Sequence, residues 1–329
     1  MNQREIFIPV EGGVQLHAWT LEPATAARPA PAITMSHGFA GLKYRGLQPY
    51  AERFAEAGFV VVVHDHRNFG LSGGQPRGDI DPWQQIADWR RIISYLESRP
   101  DVDAARVGLW GTSYAGGHAL VLAATDRRIK AVVAQVPTIS GYEQSLRRGT
   151  AEQRAALEAR FDEDERDQLR GEPPRSQPLN SLDPEVPSAY RSPALAAYHD
   201  RFPLPSDVDA SDTITLRSTR RAQMYEPGVW IERVSPTPLL MIVGARDTTT
   251  PTELALAAYE RALEPKRLTL FTGAHYDAYL GAFEETSAAA TEWFARHLSP
   301  PSRYQRTEGY SRSPVELTDQ AAIAASLSN

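Results

Sequence analysis

Short runs of consecutive apolar residues recur along the chain, and helical patterns alternate with them. The runs are rich in Val, Ile and Leu, which is typical of parallel strands buried on both faces of a sheet. Eight such runs predict eight strands: Glu5–Val10, Val14–Leu21, Ala32–Ser36, Phe59–His64, Val107–Trp110, Ala131–Val136, Pro238–Val243 and Arg267–Phe271. The first two are expected to be antiparallel and the sheet as a whole mostly parallel.

The best-marked helix begins at Asp81, an N-cap residue that is followed by Pro82 at the first helical position. Apolar residues then recur every three or four positions and predict one buried stripe: Trp83, Ile86, Trp89, Ile93 and Leu96. Similar patterns predict helices near 46–57, 114–125, 252–263 and 284–298. The alternation of strands and helices indicates an α/β fold with helices on both faces of the sheet.

The chain divides into a core and an insertion. Residues 1–137 and 237–298 carry the strands of the predicted α/β core. Residues 138–236 contain no good buried strand but many apolar residues, and we expect them to form a mainly helical cap. In the tail, 299–329, Ser313 to Glu316 resembles a capping box and predicts a short helix. That tail is either a frayed terminus or packs on the body or on a second copy in a homodimer.

Composition narrows the function. The 329 residues carry a net charge of −6, which argues against a nucleic-acid or anionic-membrane partner. The absence of cysteine excludes disulfides, Cys-ligated metals and thiol catalysis. The longest apolar stretches, Phe59–Val63 and Leu239–Ala245, are too short for a membrane helix, and the N-terminus has no signal-peptide core. We therefore expect a cytoplasmic protein.

Two segments have the pattern of a nucleophilic serine. Gly70 to Gly74 contains Ser72 in a literal G-x-S-x-G, and Gly111 to Ala115 contains Ser113 with alanine at the last position. A nucleophile elbow needs a strand before the serine and a helix after it. Only Ser113 has both, because loop residues follow Ser72. Ser113 is therefore the predicted nucleophile, and the remaining alternative is that it only serves a tight turn.

A serine hydroxyl needs a base, and that base needs a carboxylate. Among eight histidines, His275 directly follows a predicted strand, where catalytic groups collect in open α/β sheets. Asp247 follows the preceding strand in the same way, with Asp277 and Glu253 as competing acids. We predict Ser113, Asp247 and His275 as the catalytic residues. The backbone N–H groups of Phe39 and Tyr114 are the predicted oxyanion donors.

These motifs resemble those of α/β-hydrolase-fold serine hydrolases. The likeness spans about residues 5–298 and includes the loop at His37 to Phe39 and the turn at Asp65 to Gly70. More narrowly, the chain is similar to bacterial esterases grouped with dienelactone-hydrolase-type enzymes and to fungal polyketide transferases. The resemblance implies an ester, thioester or lactone hydrolase acting on a small-molecule acyl substrate through an acyl-enzyme on Ser113, with no cofactor. An acyltransferase, a peptidase and a non-catalytic binding protein remain as alternatives.

Two further predictions concern side chains around this site. His64 and His66 lie on one face of a strand, but no third ligand follows at a recognisable spacing, so no metal is expected. In the insertion, aromatic and apolar residues are candidates for substrate contact, or alternatively for ordinary cap core: Tyr142, Met224, Tyr225 and Trp230.

Overall fold

The computed structural model describes residues 1–24, 28–208 and 212–298. Eight of its strands form one sheet, and β7 and β8 form a separate antiparallel pair. The strands are β1 (Asn2–Pro9), β2 (Gln15–Glu22), β3 (Ala30–Ser36), β4 (Val60–His64), β5 (Val102–Thr112), β6 (Ile129–Gln135), β7 (Ser176–Pro178), β8 (Thr213–Thr215), β9 (Leu239–Gly244) and β10 (Lys266–Phe271).

Helices connect these strands. They are α1 (Gln48–Glu56), α2 (Pro82–Ser98), α3 (Tyr114–Thr125), α4 (Gly141–Leu146), α5 (Ala151–Leu169), α6 (Pro193–Arg201), α7 (Leu216–Gln223), α8 (Thr252–Arg261) and α9 (Phe283–Leu298). Short 3₁₀ helices lie at Glu11–Gly13, Pro227–Arg233 and His275–Tyr279. The helix predicted in the tail lies outside the described residues.

The strand order of the large sheet is β1-β2-β4-β3-β5-β6-β9-β10. Strand β2 pairs antiparallel with β1 and with β4, and the remaining pairs are parallel. The predicted mostly parallel eight-stranded sheet is therefore confirmed. Because parallel strands end at the same edge, the segments that follow β5, β9 and β10 all emerge on one side of the sheet.

Helix α2 shows how local sequence sets the packing. The Asp81 side chain accepts hydrogen bonds from the N–H groups of Trp83 and Gln84, at 3.0 and 3.2 Å, and so caps the helix. Four of the five residues in the predicted stripe are buried, with Trp89 donating to the Thr34 hydroxyl at 2.9 Å. The prediction was wrong for Trp83, which is 54% exposed and contacts the Tyr225 ring edge-on, with centroids 6.0 Å apart.

Residues 138–236 contain helices α4 to α7, joined by long loops and the β7–β8 pair. The sequence pattern did not predict β7 or β8. Each is three residues long, too short for an alternation of apolar and polar residues to be recognised.

A hydrogen-bonded histidine on α3 connects that helix to α2 and to the 138–236 insertion. His118 is completely buried, with Nδ1 2.8 Å from the Tyr225 hydroxyl and Nε2 3.0 Å from Gln85 Oε1. The neutral ring satisfies both partners, since Nε2–H donates to the amide oxygen and Nδ1 accepts from the phenol. Burial, with a smaller contribution from His37, lowers the pKa of His118 to about 3.

This pKa shift predicts a loss of stability in acid. The unfolded His118 binds a proton near pH 6.5, whereas the folded one binds it near pH 3, so stability falls as the pH falls through that window. We expect His118→Gln to reduce the slope of unfolding free energy against pH by up to about 1.4 kcal/mol per unit. Urea titrations between pH 4 and 7.5 measure it. Tyr225→Phe is the control, because it loses the hydrogen bond but keeps the titrating ring. Equal slopes in wild type and His118→Gln would contradict the prediction.

Candidate active site

Ser113 lies in a sharp turn between a strand and a helix. Strand β5 ends at Thr112 and α3 begins at Tyr114. Between them Ser113 has φ 56° and ψ −118°, a left-handed conformation that is strained for a residue with a side chain. Gly111 permits this turn, because a Cβ there would lie 2.1 Å from the carbonyl oxygen of Ala115. The predicted elbow geometry is therefore present, with alanine meeting the steric need at position 115.

The three predicted side chains form a continuous series of hydrogen-bond contacts. His275 begins the 3₁₀ helix after β10, and Asp247 follows β9. The Nε2 atom of His275 is 3.0 Å from Ser113 Oγ, and its Nδ1 atom is 2.7 Å from Asp247 Oδ2. His275 and Asp247 are almost completely buried. This is the geometry in which a carboxylate orients an imidazole that can take a proton from a serine hydroxyl.

The turn after Asp247 holds its carboxylate in place. The N–H groups of Thr249 and Thr250 donate to Oδ1 at 2.8 and 2.9 Å, and the Thr250 hydroxyl lies 2.9 Å from Oδ2. Burial alone would raise the pKa of Asp247, but the charge and hydrogen bond of His275 and the bonds from Thr250 outweigh it. They hold that pKa below its usual range. The carboxylate is therefore ionised at neutral pH.

Thr250 was missed by the sequence reasoning. Its hydroxyl also lies 3.0 Å from the carbonyl oxygen of Val136 and 3.2 Å from His275 Nδ1. The signal was available as three consecutive threonines directly after Asp247, since hydroxyls and turn N–H groups commonly bond a preceding Asp.

The competing acids lie elsewhere. Asp277 accepts a hydrogen bond from the N–H of Ala274 at 2.7 Å and so caps the 3₁₀ helix that carries His275. Glu253 is exposed and pairs with Arg147 at 3.1 Å. Neither contacts the His275 ring, so the structure favours Asp247 among the three.

A glycine brings the loop after β3 against the serine. A Cβ at Gly38 would lie 2.7 Å from Ser113 Cβ and 3.0 Å from its Oγ, so only glycine permits this approach. The neighbouring Phe39 ring packs edge-on against Tyr114, with centroids 5.2 Å apart. Among the described residues, the backbone N–H groups of Phe39 and Tyr114 have no hydrogen-bond acceptor. Both N–H groups could therefore donate to a ligand beside Ser113.

Two cavities adjoin Ser113. The larger, of about 450 Å³, is lined by residues of α4, α5 and the loop at 184–191. The smaller, of about 60 Å³, lies between the His37 loop and the aromatic rings of Tyr198, Tyr276 and Tyr279. Residues of the 138–236 insertion, including Tyr190, line both cavities together with residues of the core.

The four predicted substrate contacts are corrected by the structure, which places none of them in either cavity. Tyr142 and Met224 point outward, 57% and 74% exposed. Tyr225 is buried against His118, and Trp230 lies under the guanidinium of Arg233. An aromatic side chain in an inserted segment is typical of packing. The sequence does not show whether that side chain points toward the cavity, toward the core or toward solvent.

Ser72, in the literal G-x-S-x-G, is a structural residue. Its hydroxyl donates to the carbonyl oxygen of Asp65 at 2.8 Å and accepts from the N–H of His17 at the same distance. Ser72 is buried and lines neither cavity beside Ser113. It ties the loop after β4 to the antiparallel strand β2.

We expect Ser72→Ala to keep wild-type kcat while losing about 1–3 kcal/mol of stability, because two buried polar groups lose their partner. Urea denaturation and ester-hydrolysis kinetics on the same preparation measure both quantities. A loss of kcat beyond about tenfold in a folded Ser72→Ala variant would contradict this assignment.

The mostly parallel sheet, the strained serine after β5 and the aligned histidine and aspartate define the protein as an α/β-hydrolase. The sequence profile of the X-Pro dipeptidyl-peptidase (S15) family matches residues 12–277, and the chain belongs to that family. Among the described residues, no helix is long and apolar enough to cross a membrane.

Similar proteins include a quorum-quenching protein, AidA, of Acinetobacter baumannii, 30% identical over 82% of this chain and 88% of that protein. Polyketide transferase GrgF of a Penicillium species is 28% identical over 87% of this chain and 94% of its own length. The crystal structure of GrgF superposes with a TM-score of 0.79 over 91% of this chain and 99% of that one, at 26% identity. Thiohydrolase AneE of Aspergillus aculeatus is 28% identical over 77% of this chain and 81% of its length.

Proposed function

We propose that this protein hydrolyses a carboxylic ester or thioester through an acyl-enzyme on Ser113. The observation that carries the proposal is the continuous contact from Ser113 Oγ to His275 Nε2, at 3.0 Å, and from His275 Nδ1 to Asp247 Oδ2, at 2.7 Å. A serine hydroxyl is a weak nucleophile, and this arrangement is what makes it reactive.

In the first half of the reaction, His275 removes the hydroxyl proton as Ser113 Oγ bonds to the acyl carbon. Negative charge develops on the carbonyl oxygen, and the N–H groups of Phe39 and Tyr114 stabilise it. The intermediate then collapses, and His275 gives its proton to the departing alcohol or thiol. Asp247 stays ionised throughout and holds the imidazolium in orientation.

In the second half, His275 takes a proton from water, and the resulting hydroxide attacks the acyl carbon. Collapse of this second intermediate returns the proton to Ser113 and releases the acid.

In this proposal the 138–236 insertion acts as a cap, because its residues line both cavities around the scissile bond. A thioester substrate is supported by the relative named as a thiohydrolase.

An acyltransferase is the second candidate, supported by the relative named as a polyketide transferase. It would use the same acyl-enzyme, with an alcohol or amine in place of water. A dipeptidyl-peptidase activity, suggested by the family's description, has less support. Such a substrate carries a protonated amine two residues from the cleaved bond, and no Asp or Glu among the described residues lines either cavity.

The proposal is tested with matched substrates of one acyl group: an ethyl ester, an S-ethyl thioester and, separately, an Xaa-Pro anilide. We expect the ester or thioester to be cleaved and the anilide to remain. Adding a primary alcohol should leave the free acid as the main product. A main product in which the alcohol is acylated would support acyl transfer instead, and preferential cleavage of the anilide would overturn the proposal.

A further inference from the structure

The larger cavity beside Ser113 is positively charged. Arg148, Arg154, Arg160 and Arg191 line it, and no acidic residue of the described chain does. None of these four forms an ion pair with a carboxylate of the described residues. Many other arginines do, as Arg67 does with Asp88. This concentration of positive charge is unexpected in a chain whose net charge is −6.

Neutral oxygen atoms hold these arginines in position without cancelling their charge. Arg154 donates to the carbonyl oxygens of Leu146 and Gly149 at 3.2 and 2.5 Å, and Arg160 donates to Gln177 Oε1 at 3.1 Å. A guanidinium has five N–H donors, so each retains donors that can turn to a ligand. Burial, and then the charge of neighbouring Arg175, lowers the pKa of Arg160.

Arg148 connects this charge to the reacting serine. Its guanidinium lies 4.6 Å from the ring centroid of Tyr190 and 3.5 Å from the carbonyl oxygen of Thr249. Tyr190 and Thr249 line both cavities, as Ser113 does. The positively charged lining therefore extends from the neighbourhood of the nucleophile to Arg160 on α5.

The position of His275 decides which part of the substrate meets the arginines. His275 lines the smaller cavity and not the larger one. In the proposed mechanism the leaving group receives its proton from His275, so it departs through the smaller cavity. The acyl group then extends into the larger cavity, whose volume of about 450 Å³ is that of an ordinary ligand site.

Building on the proposed function, we propose that the acyl group of the substrate carries a carboxylate, which the arginines of the larger cavity bind. Guanidinium groups are suited to this role, since they bind carboxylates with two parallel hydrogen bonds. The substrate class is therefore the monoester or monothioester of a dicarboxylic acid.

The test compares two S-ethyl thioesters of one chain length, one ending in a carboxylate and the other in the isosteric carboxamide, with thiol release as the readout. We expect the wild type to prefer the carboxylate by about 10–100-fold in kcat/KM. Arg160→Gln and Arg148→Gln should each reduce that preference, and the double variant, in which Arg154 and Arg191 remain, should reduce it further. Turnover of the carboxamide should persist in every variant, which shows that the protein is folded. Arg166→Gln, on α5 but outside the cavity, is the matched control and should leave the preference unchanged.

Equal kcat/KM for the two thioesters in the wild type would overturn the carboxylate proposal and leave the proposed hydrolysis intact. A preference of wild-type size in the double variant would also overturn it. A third thioester, with an uncharged acyl group and a phosphate on the thiol, tests the other side of the scissile bond. A preference for that substrate alone would also overturn the carboxylate proposal. Failure of the wild type to cleave either thioester, or the corresponding esters, would instead overturn the proposed function.

Discussion

We expect Ser113→Ala to lower kcat for ester or thioester hydrolysis by about 10⁴–10⁶. The variant lacks the oxygen that forms the acyl-enzyme. The Thr250 hydroxyl cannot replace it, because it lies beside Nδ1 of His275 and not beside Nε2. Folding should be preserved, because His275 is the only hydrogen-bond partner of the Ser113 hydroxyl among the described residues and alanine keeps the Cβ of serine. Steady-state kinetics with a thermal melt of the same preparation measures both.

Ser72→Ala is the matched control for this loss, since it removes a buried serine hydroxyl from the literal G-x-S-x-G segment. The predicted contrast is a stable but inactive Ser113→Ala and an active but less stable Ser72→Ala. Near-wild-type kcat in Ser113→Ala would contradict the assignment of the nucleophile.

The second large effect is expected for Asp247→Asn, which should lower kcat by about 10³–10⁴. An amide cannot satisfy both sides of this site. If its oxygen faces His275, its NH₂ opposes the N–H groups of Thr249 and Thr250, which now donate to the carboxylate. If its NH₂ faces His275, it holds the ring in the wrong tautomer for accepting the serine proton.

The kinetics of Asp247→Asn should be compared with those of Glu253→Gln. Glu253 is a nearby acid that pairs with Arg147 at the surface, and its neutralisation should leave kcat unchanged. Losses of similar size in both variants, or a loss below tenfold in Asp247→Asn, would show that the carboxylate does not orient His275.

Much of the sheet was predictable because buried parallel strands have a strong local signal. Strand β4 is four consecutive valines followed by His64, all completely buried, and exposing it would have a large cost in free energy. Trp83 was misassigned because periodicity gives the face of a helix but not how far neighbouring elements cover each of its turns. The pair β7–β8 was missed because it is held by long-range pairing between segments about 35 residues apart, with little local pattern.

Some residues of the candidate site could likewise be predicted from local sequence, and others could not. Ser113, Asp247 and His275 each follow a strand and could be found from the chain on either side of them. The arginine-lined cavity could not, because α4, α5 and the loop at 184–191 meet only in the folded insertion. Tyr142 and Met224 were chosen for their chemistry, yet Tyr142 on α4 and Met224 at the end of α7 are both exposed to solvent.

The most direct test of the proposed nucleophile is covalent labelling with a fluorophosphonate, followed by mass spectrometry of the intact protein and of its peptides. One adduct per chain on Ser113, blocked by an ester or thioester substrate and absent from Ser113→Ala, is the predicted result. An adduct on another residue would contradict it. So would hydrolysis that continues after every chain is labelled, or hydrolysis by a protein that the reagent fails to label.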